Sequence, residues 1–236
     1  MNDHPELSIV ILCYRSEEQI IGFSQKVKEL AKKLTDSFEI VLVGNYVEGS
    51  VDRTKEIVEN IALEDPIYKS ICKPKKGMMG WDMKEGLSFA KGDLICVIDG
   101  DGQFPIESIA QCYEKIKTED FGLVKTYRKK RNDGGYRKLI SVIYNLVFAI
   151  LFPGVRSKDV NSKPKIFTRD LLDNLVLTSD DWFIDAEIMI NTNKLGIKFY
   201  EFPIEFYELH GRVSFVKFSA IFEFIRNLIY YRFKGK

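Results

Sequence analysis

Cysteine is scarce: Cys13, Cys72, Cys96 and Cys112 are the only four in 236 residues, and no two of them form a CxxC pair. That scarcity leaves no disulfide framework, and because Cys13 and Cys96 lie inside apolar runs, the four are expected to be buried reduced thiols of a cytoplasmic protein. A cleaved leader is not expected either, since the N-terminus carries Asp3 and Glu6 and only a short apolar run. No stretch offers the ~20 apolar residues of a spanning helix. Internal repeats, low-complexity tracts and a linker that would force two domains are also missing. The net charge is only +1, and no nucleic-acid partner is expected.

What is present is a large apolar content, 45% of the chain, enough for one α/β domain with a sizeable core. Its first half alternates in type. Apolar strand-like runs at Leu7–Tyr14, Glu39–Val43, Ile67–Cys72 and Leu94–Ile98 are separated by helical spacing at Glu18–Leu34, Thr54–Leu63 and Trp81–Lys91. Strands alternating with helices imply crossover units and a mainly parallel sheet with helices on both faces. The second half is less regular. It predicts a strand at Asp120–Lys125, an apolar helix at Arg137–Phe152, mixed short elements over Lys165–Leu177, a helix at Ser179–Leu195 capped by Ser179 and Asp180, a strand over 197–207, and an amphipathic helix at Phe218–Phe233.

In open parallel sheets ligands bind beyond the carboxyl ends of the strands, so the segments that follow the strands matter most. After the fourth comes "DGDGQ". In an extended segment Asp99 and Asp101 would face one spot, kept open by Gly100 and Gly102. Two carboxylates that close repel unless a cation lies between them, and Mg²⁺ or Mn²⁺ with substrate phosphates is the obvious one. A plain polar turn is the alternative.

Taken in order, SIVILCYRSEE, EIVLV, SVDRT, KGMMGWDMKEGLSFAKGD and VIDGDGQFP resemble the family 2 glycosyltransferases of GT-A fold, notably the branch that includes dolichyl-phosphate mannosyltransferase and bacterial polyprenyl-phosphate sugar transferases. The resemblance covers residues 7–110 well and extends loosely to about 217. It implies that Asp99 and Asp101 hold the divalent ion and the donor diphosphate, with Gln103 beside them. It implies a nucleoside cradle of Tyr14, Ser16, Glu17, Ser50 and Asp52. Relatives usually carry two aspartates after the second strand, where this chain has Gly44-Asn45; the Asn45 amide would take up a base contact there. Lys76 and Gly77, before a helix, suit a phosphate or a sugar hydroxyl. The resemblance further implies that Asp159, Asn161 and Lys163 lie near the donor sugar and acceptor, and that Arg212 and Ser214, with His210 and Lys217 around them, belong to a loop that closes over the diphosphate. Asp181 and Asp185, taken as one helical turn apart, are candidate bases.

Two apolar helices adjoin basic runs. Lys125–Lys138 holds seven basic residues against one acid and leads into LISVIYNLVFAILF, while Arg212–Lys236 holds six against one. Each suits a membrane interface rich in anionic headgroups; a buried core helix is the alternative for the first, and a helix docked on the domain or on a partner subunit for the second. Together these readings give a GT-A domain over 1–212, with an interfacial helix near 137–152, and an amphipathic tail over 213–236. The expected activity is metal-dependent, inverting hexosyl transfer from a UDP- or GDP-sugar to a lipid phosphate, by an enzyme peripheral at the inner face of the membrane, with a homo-oligomer or a membrane subunit as further partner. Transfer to a glycan hydroxyl and a non-catalytic nucleotide-sugar-binding subunit are the alternatives.

Overall fold

The β-branched runs of the first half form parallel strands, and the polar segments between them carry the chain across as helices. A computed structural model describes residues 4–131, 135–207 and 219–234. In chain order the elements are β1 (Leu7–Leu12), α1 (Gln19–Leu34), β2 (Phe38–Val43), α2 (Thr54–Glu64), β3 (Tyr68–Ile71), α3 (Met79–Phe89), β4 (Leu94–Asp99), α4 (Glu107–Thr118), β5 (Leu123–Arg131), α5 (Gly135–Leu151), β6 (Lys165–Thr168), α6 (Arg169–Asn174), α7 (Ile184–Lys194), β7 (Phe199–Phe206) and α8 (Ser219–Lys234). Seven strands form one sheet in the order β3-β2-β1-β4-β6-β5-β7. β6 alone runs against its neighbours β4 and β5.

Alternation along the strands divides the core in two. Val10, Val41, Val43, Ile95 and Val97 face α3, α5 and α7. Ile9, Ile11, Ile40, Leu42, Cys96 and Ile98 face α1, α2 and α4. Pro203 is tolerated inside β7 because that strand closes the edge of the sheet, where a missing N–H leaves no ladder gap.

Three expectations about elements need correction. The sequence reading gave no element to α4, although Ile109, Cys112, Tyr113 and Ile116 are buried at helical spacing. The strand expected to end at Lys125 runs on into the basic stretch: β5 continues to Arg131, paired along β7. α7 begins at Ile184, five residues later than expected, because Ser179 and Asp180 serve other partners.

α5 is apolar on two sides. Ile140, Tyr144 and Phe148, four residues apart, are buried in the core with Phe152 just beyond. Leu139, Val142, Ile143, Leu146 and Ile150 form an exposed stripe, with Leu146 59% and Ile150 69% accessible. α8 packs on α5, buries Leu228 and sets the Tyr231 ring 5.1 Å from Phe183. Among the described residues no helix is long and apolar enough to cross a membrane. Phe148→Ala is expected to cost about 3–5 kcal/mol of stability through the cavity it leaves, read as a lower denaturant midpoint.

Candidate active site

Strand register brings the loops to one edge. Leu12 pairs with Val43 and with Asp99, and Val43 pairs with Ile71, so the ends of β1, β2, β3 and β4 lie side by side. β6 runs the other way, so its entrance at Lys165, paired with Val97 and Lys125, opens on the same edge. The segment before β6 therefore meets the loops after the parallel strands.

Asp99 is the last residue of β4, and the chain then turns instead of staying extended. Gly102 has φ +73°, which glycine adopts at little cost, and Asp101 Oδ1 accepts from the Gln103 N–H at 3.0 Å. The two carboxylates are thus presented by a turn and not by strand alternation. Gln103 is buried and its Nε2 donates to the Tyr207 carbonyl at 3.1 Å, tying the turn to the end of β7. Carboxylate oxygens at an open strand end are a hard donor set, and one or two such groups completed by substrate phosphates fit Mg²⁺ or Mn²⁺.

Beneath Asp99 lies a buried ionic row. Lys163 Nζ is 3.3 Å from Asp99 Oδ1 and 3.4 Å from Asp185 Oδ2, and Asp185 Oδ1 pairs with Lys165. Burial alone would raise the Asp185 carboxyl, but the two lysines outweigh it and hold it below the usual range. Lys165 goes down to about 8, because burial dominates and Lys125 and Lys163 repel it against one shared carboxylate. Alongside, Asp159 receives Arg128 Nε at 2.6 Å and Nη2 at 2.8 Å, a bidentate pair. The Arg128 charge overcomes the effect of burial and keeps Asp159 ionised. Lys125 Nζ, fully buried, donates to the Asp159 carbonyl at 2.6 Å and to Glu201 at 3.2 Å. The Asn161 Oδ1 atom is buried with no hydrogen-bond partner among the described residues.

On the opposite side the loops after β1 and β2 interlock. Arg15 and Glu17 have φ of 54° and 46°, left-handed values that cost non-glycine residues and concentrate at functional loops. The Glu17 N–H donates to Thr54 Oγ1 at 2.9 Å. Asp52 Oδ1 accepts from both the N–H and the hydroxyl of Thr54. Ser16 is buried, whereas Ser50 is exposed. Lys75 Nζ sits 4.1 Å from the centre of the Tyr14 ring and pairs with Asp82; burial nevertheless leaves Asp82 above the usual carboxylate range.

Two readings here change. Asn45 is buried, with Nδ2 donating to Asp82 at 2.9 Å and Oδ1 accepting from the Lys73 N–H at 2.9 Å. Its amide therefore braces the loop after β3 and does not point at a ligand. The start of α3 is not an open anion site: the Asp180 carbonyl accepts from Met78 N–H at 2.7 Å and Trp81 N–H at 3.2 Å. A Cβ on Gly77 would meet Asp180 at 2.8 Å, and one on Gly80 would meet the Asp181 carbonyl at 2.5 Å, so these glycines admit the 179–181 segment. Lys76 is exposed, and the lysine that turns inward is Lys75.

Neither candidate base stands ready. Asp181 lies before α7, not one turn from Asp185 on it; its Oδ1 accepts from Phe183 N–H at 2.8 Å and its Oδ2 from Asn227 at 2.5 Å. Asp185 is buried between two lysines. Glu187 accepts from the N–H groups of Thr178 and Ser179, so the segment is held from the helix instead of capping it. His210, Arg212, Ser214 and Lys217 lie outside the described residues. Lys75, Asp82, Lys125 and Lys165 escaped the sequence reading; a lysine inside a strand run such as KPKIFT was the one signal for the last.

Known proteins share this architecture. Glucosyl-3-phosphoglycerate synthase from Mycobacterium tuberculosis, in a crystal structure with Mn²⁺, uridine diphosphate and phosphoglyceric acid, superposes with a TM-score of 0.71 at 19% identity, over 97% of this chain and 78% of that one. That likeness supports the GT-A-like fold. A dolichyl-phosphate beta-glucosyltransferase of Trichomonas vaginalis is 27% identical over 240 residues, 94% of this chain and 72% of that protein. Dolichol-phosphate mannosyltransferase of Pyrococcus furiosus is 28% identical over 228 residues, 94% of this chain and 62% of that protein. An uncharacterized Bacillus subtilis glycosyltransferase is 34% identical over 131 residues, 39% of its own length. Residues 8–181 match the family described as Glycosyl transferase family 2; with its strand-end aspartates on a GT-A-like sheet, this chain is a glycosyltransferase and belongs to that family.

Proposed function

We propose that the chain transfers a hexose, with inversion, from a UDP- or GDP-sugar to a polyprenyl phosphate at the inner face of a membrane. A divalent ion held by Asp99, Asp101 and the donor diphosphate would neutralise charge on the leaving group. The loops after β1 and β2 cradle the nucleoside, with Tyr14, Ser16, Glu17, Ser50 and Asp52 along that wall. Asp159, through Arg128, orders the segment that carries Asn161 and Lys163 to the sugar.

The observation that carries the acceptor reading is the exposed apolar stripe of α5, from Leu139 to Ile150, on a helix whose other side is anchored in the core. α8 adds exposed Ile229, Tyr230 and Phe233, with exposed Arg226 and Arg232 beside them. Basic residues near an anionic surface contribute about 1 kcal/mol each. On this reading 1–212 is the catalytic domain, and 213–236 is a tail that meets the membrane. The engaged state of Asp181 and Asp185 favours the same acceptor, since a phosphate is already anionic and needs no strong base to attack. The names of the dolichyl-phosphate relatives point in that direction too.

Flotation with anionic vesicles containing undecaprenyl phosphate tests this. The native protein should float, and Leu146→Glu with Ile150→Glu should remove binding and lipid glycosylation together while the melting temperature holds. A native protein that stays off vesicles and glycosylates soluble sugars would put the glycan hydroxyl in place of the lipid phosphate.

A further inference from the structure

Asp99 already has a cation. Lys163 is only 2% exposed, and with Lys165, Asp185 and Asp99 it completes a row of alternating charge that runs from the core to the strand end and sums to zero. Asp99, with its side chain 25% exposed, is the member of the row that reaches toward solvent. Lys163 Nζ also contacts Met79 Sδ at 3.3 Å. A thioether is a weak acceptor, so a phosphate oxygen arriving there would displace it readily.

We propose that Lys163 is a built-in cation of the donor seat: its ammonium neutralises Asp99 before the donor arrives, and then donates to a diphosphate oxygen in exchange for the Met79 contact. The inference rests on the reading that this edge takes a nucleoside diphosphate. It has two consequences of opposite sign. The chain binds a nucleoside diphosphate without added metal, because a charged donor is already in place. It takes up Mn²⁺ alone only weakly, because one of the two carboxylates is paired with an ammonium.

Lys163→Met removes the charge while keeping an unbranched side chain of similar length. Calorimetric titration with UDP and with GDP, in EDTA and in Mn²⁺, measures the first consequence; the free Mn²⁺ resonance in nucleotide-free protein measures the second. The native chain should bind one of the diphosphates in EDTA. Lys163→Met should bind it roughly tenfold or more weakly, the loss of one charge-assisted hydrogen bond, and should bind Mn²⁺ alone more tightly than the native chain. Unchanged affinities in a folded Lys163→Met protein would overturn the inference. So would a native chain that binds UDP or GDP only when Mn²⁺ is added, an outcome that needs no variant and leaves the donor reading standing. Failure of both nucleotides with and without Mn²⁺ would remove the donor reading, and this inference with it.

Discussion

Asp101→Ala lowers sugar transfer by roughly 10²–10³-fold, the usual cost of removing one group that stabilises developing charge. The loss falls on kcat with little change in folding, because Asp101 lies in a half-exposed turn after β4 and not in the core. On the proposed reading, what Asp101→Ala removes is one carboxylate ligand of the divalent ion that would offset the negative charge growing on the leaving diphosphate. The substitution also gives up the 3.0 Å bond from the Gln103 N–H to Asp101 Oδ1, while Gly102 keeps its left-handed φ and Gln103 its bond to the Tyr207 carbonyl. Donor turnover assayed with saturating Mn²⁺ and an undecaprenyl phosphate acceptor, beside a melting curve, separates the two effects. Transfer at the native rate would end the assignment of Asp101 to the leaving group.

Asp185→Ala acts on folding. Its carboxylate is shared by Lys163 and Lys165, both buried, and deleting it leaves two ammonium groups in the core with one fewer partner. Breaking a buried pair from one side costs about 3–5 kcal/mol, and at about 2–4 °C per kcal/mol for a chain of this size the melting temperature drops by roughly 6–20 °C. The effect has a pH signature. The Asp185 carboxyl sits below its ordinary value, so its contribution is complete above the unfolded value and is lost as pH falls through the folded one. The native and Asp185→Ala proteins should therefore converge in stability under acid. A general base would behave differently: its removal would spare the melting temperature and take away turnover.

The first half of the fold was legible because its strands are unbroken apolar runs and the loops between them carry their own signals. DGDGQ stood out since two acids beside two glycines have little use in a core. What stayed hidden follows one pattern. Lys125 and Lys165 sit inside strand runs, and lysine in a sequence suggests solvent; only pairing with Glu201 on the neighbouring strand β7 and with Asp185 on α7 makes their burial possible. Ser179 and Asp180 looked like helix caps because those residue types cap helices, but the Asp180 carbonyl caps α3 from a distance of about a hundred positions in the chain. Asn45 looked like a ligand group because it is polar at a strand end, and its partners Asp82 and Lys73 come from elements that local pattern does not connect to it.

The reversed strand β6 gives the site a grain. On the β1–β4 side each functional loop leaves a strand, while on the β6 side the functional residues are met on the way in, before Lys165, and the strand exits at Thr168, paired with Leu94 on the far edge. Lengthening the chain therefore has opposite meanings on the two sides. Extra residues after Asp99 would reshape the donor seat, whereas extra residues after Thr168 would hang from the back of the molecule. On the proposed reading, additions upstream of Lys165 would also change which groups face the sugar, and residues 153–162 lie outside every strand pairing.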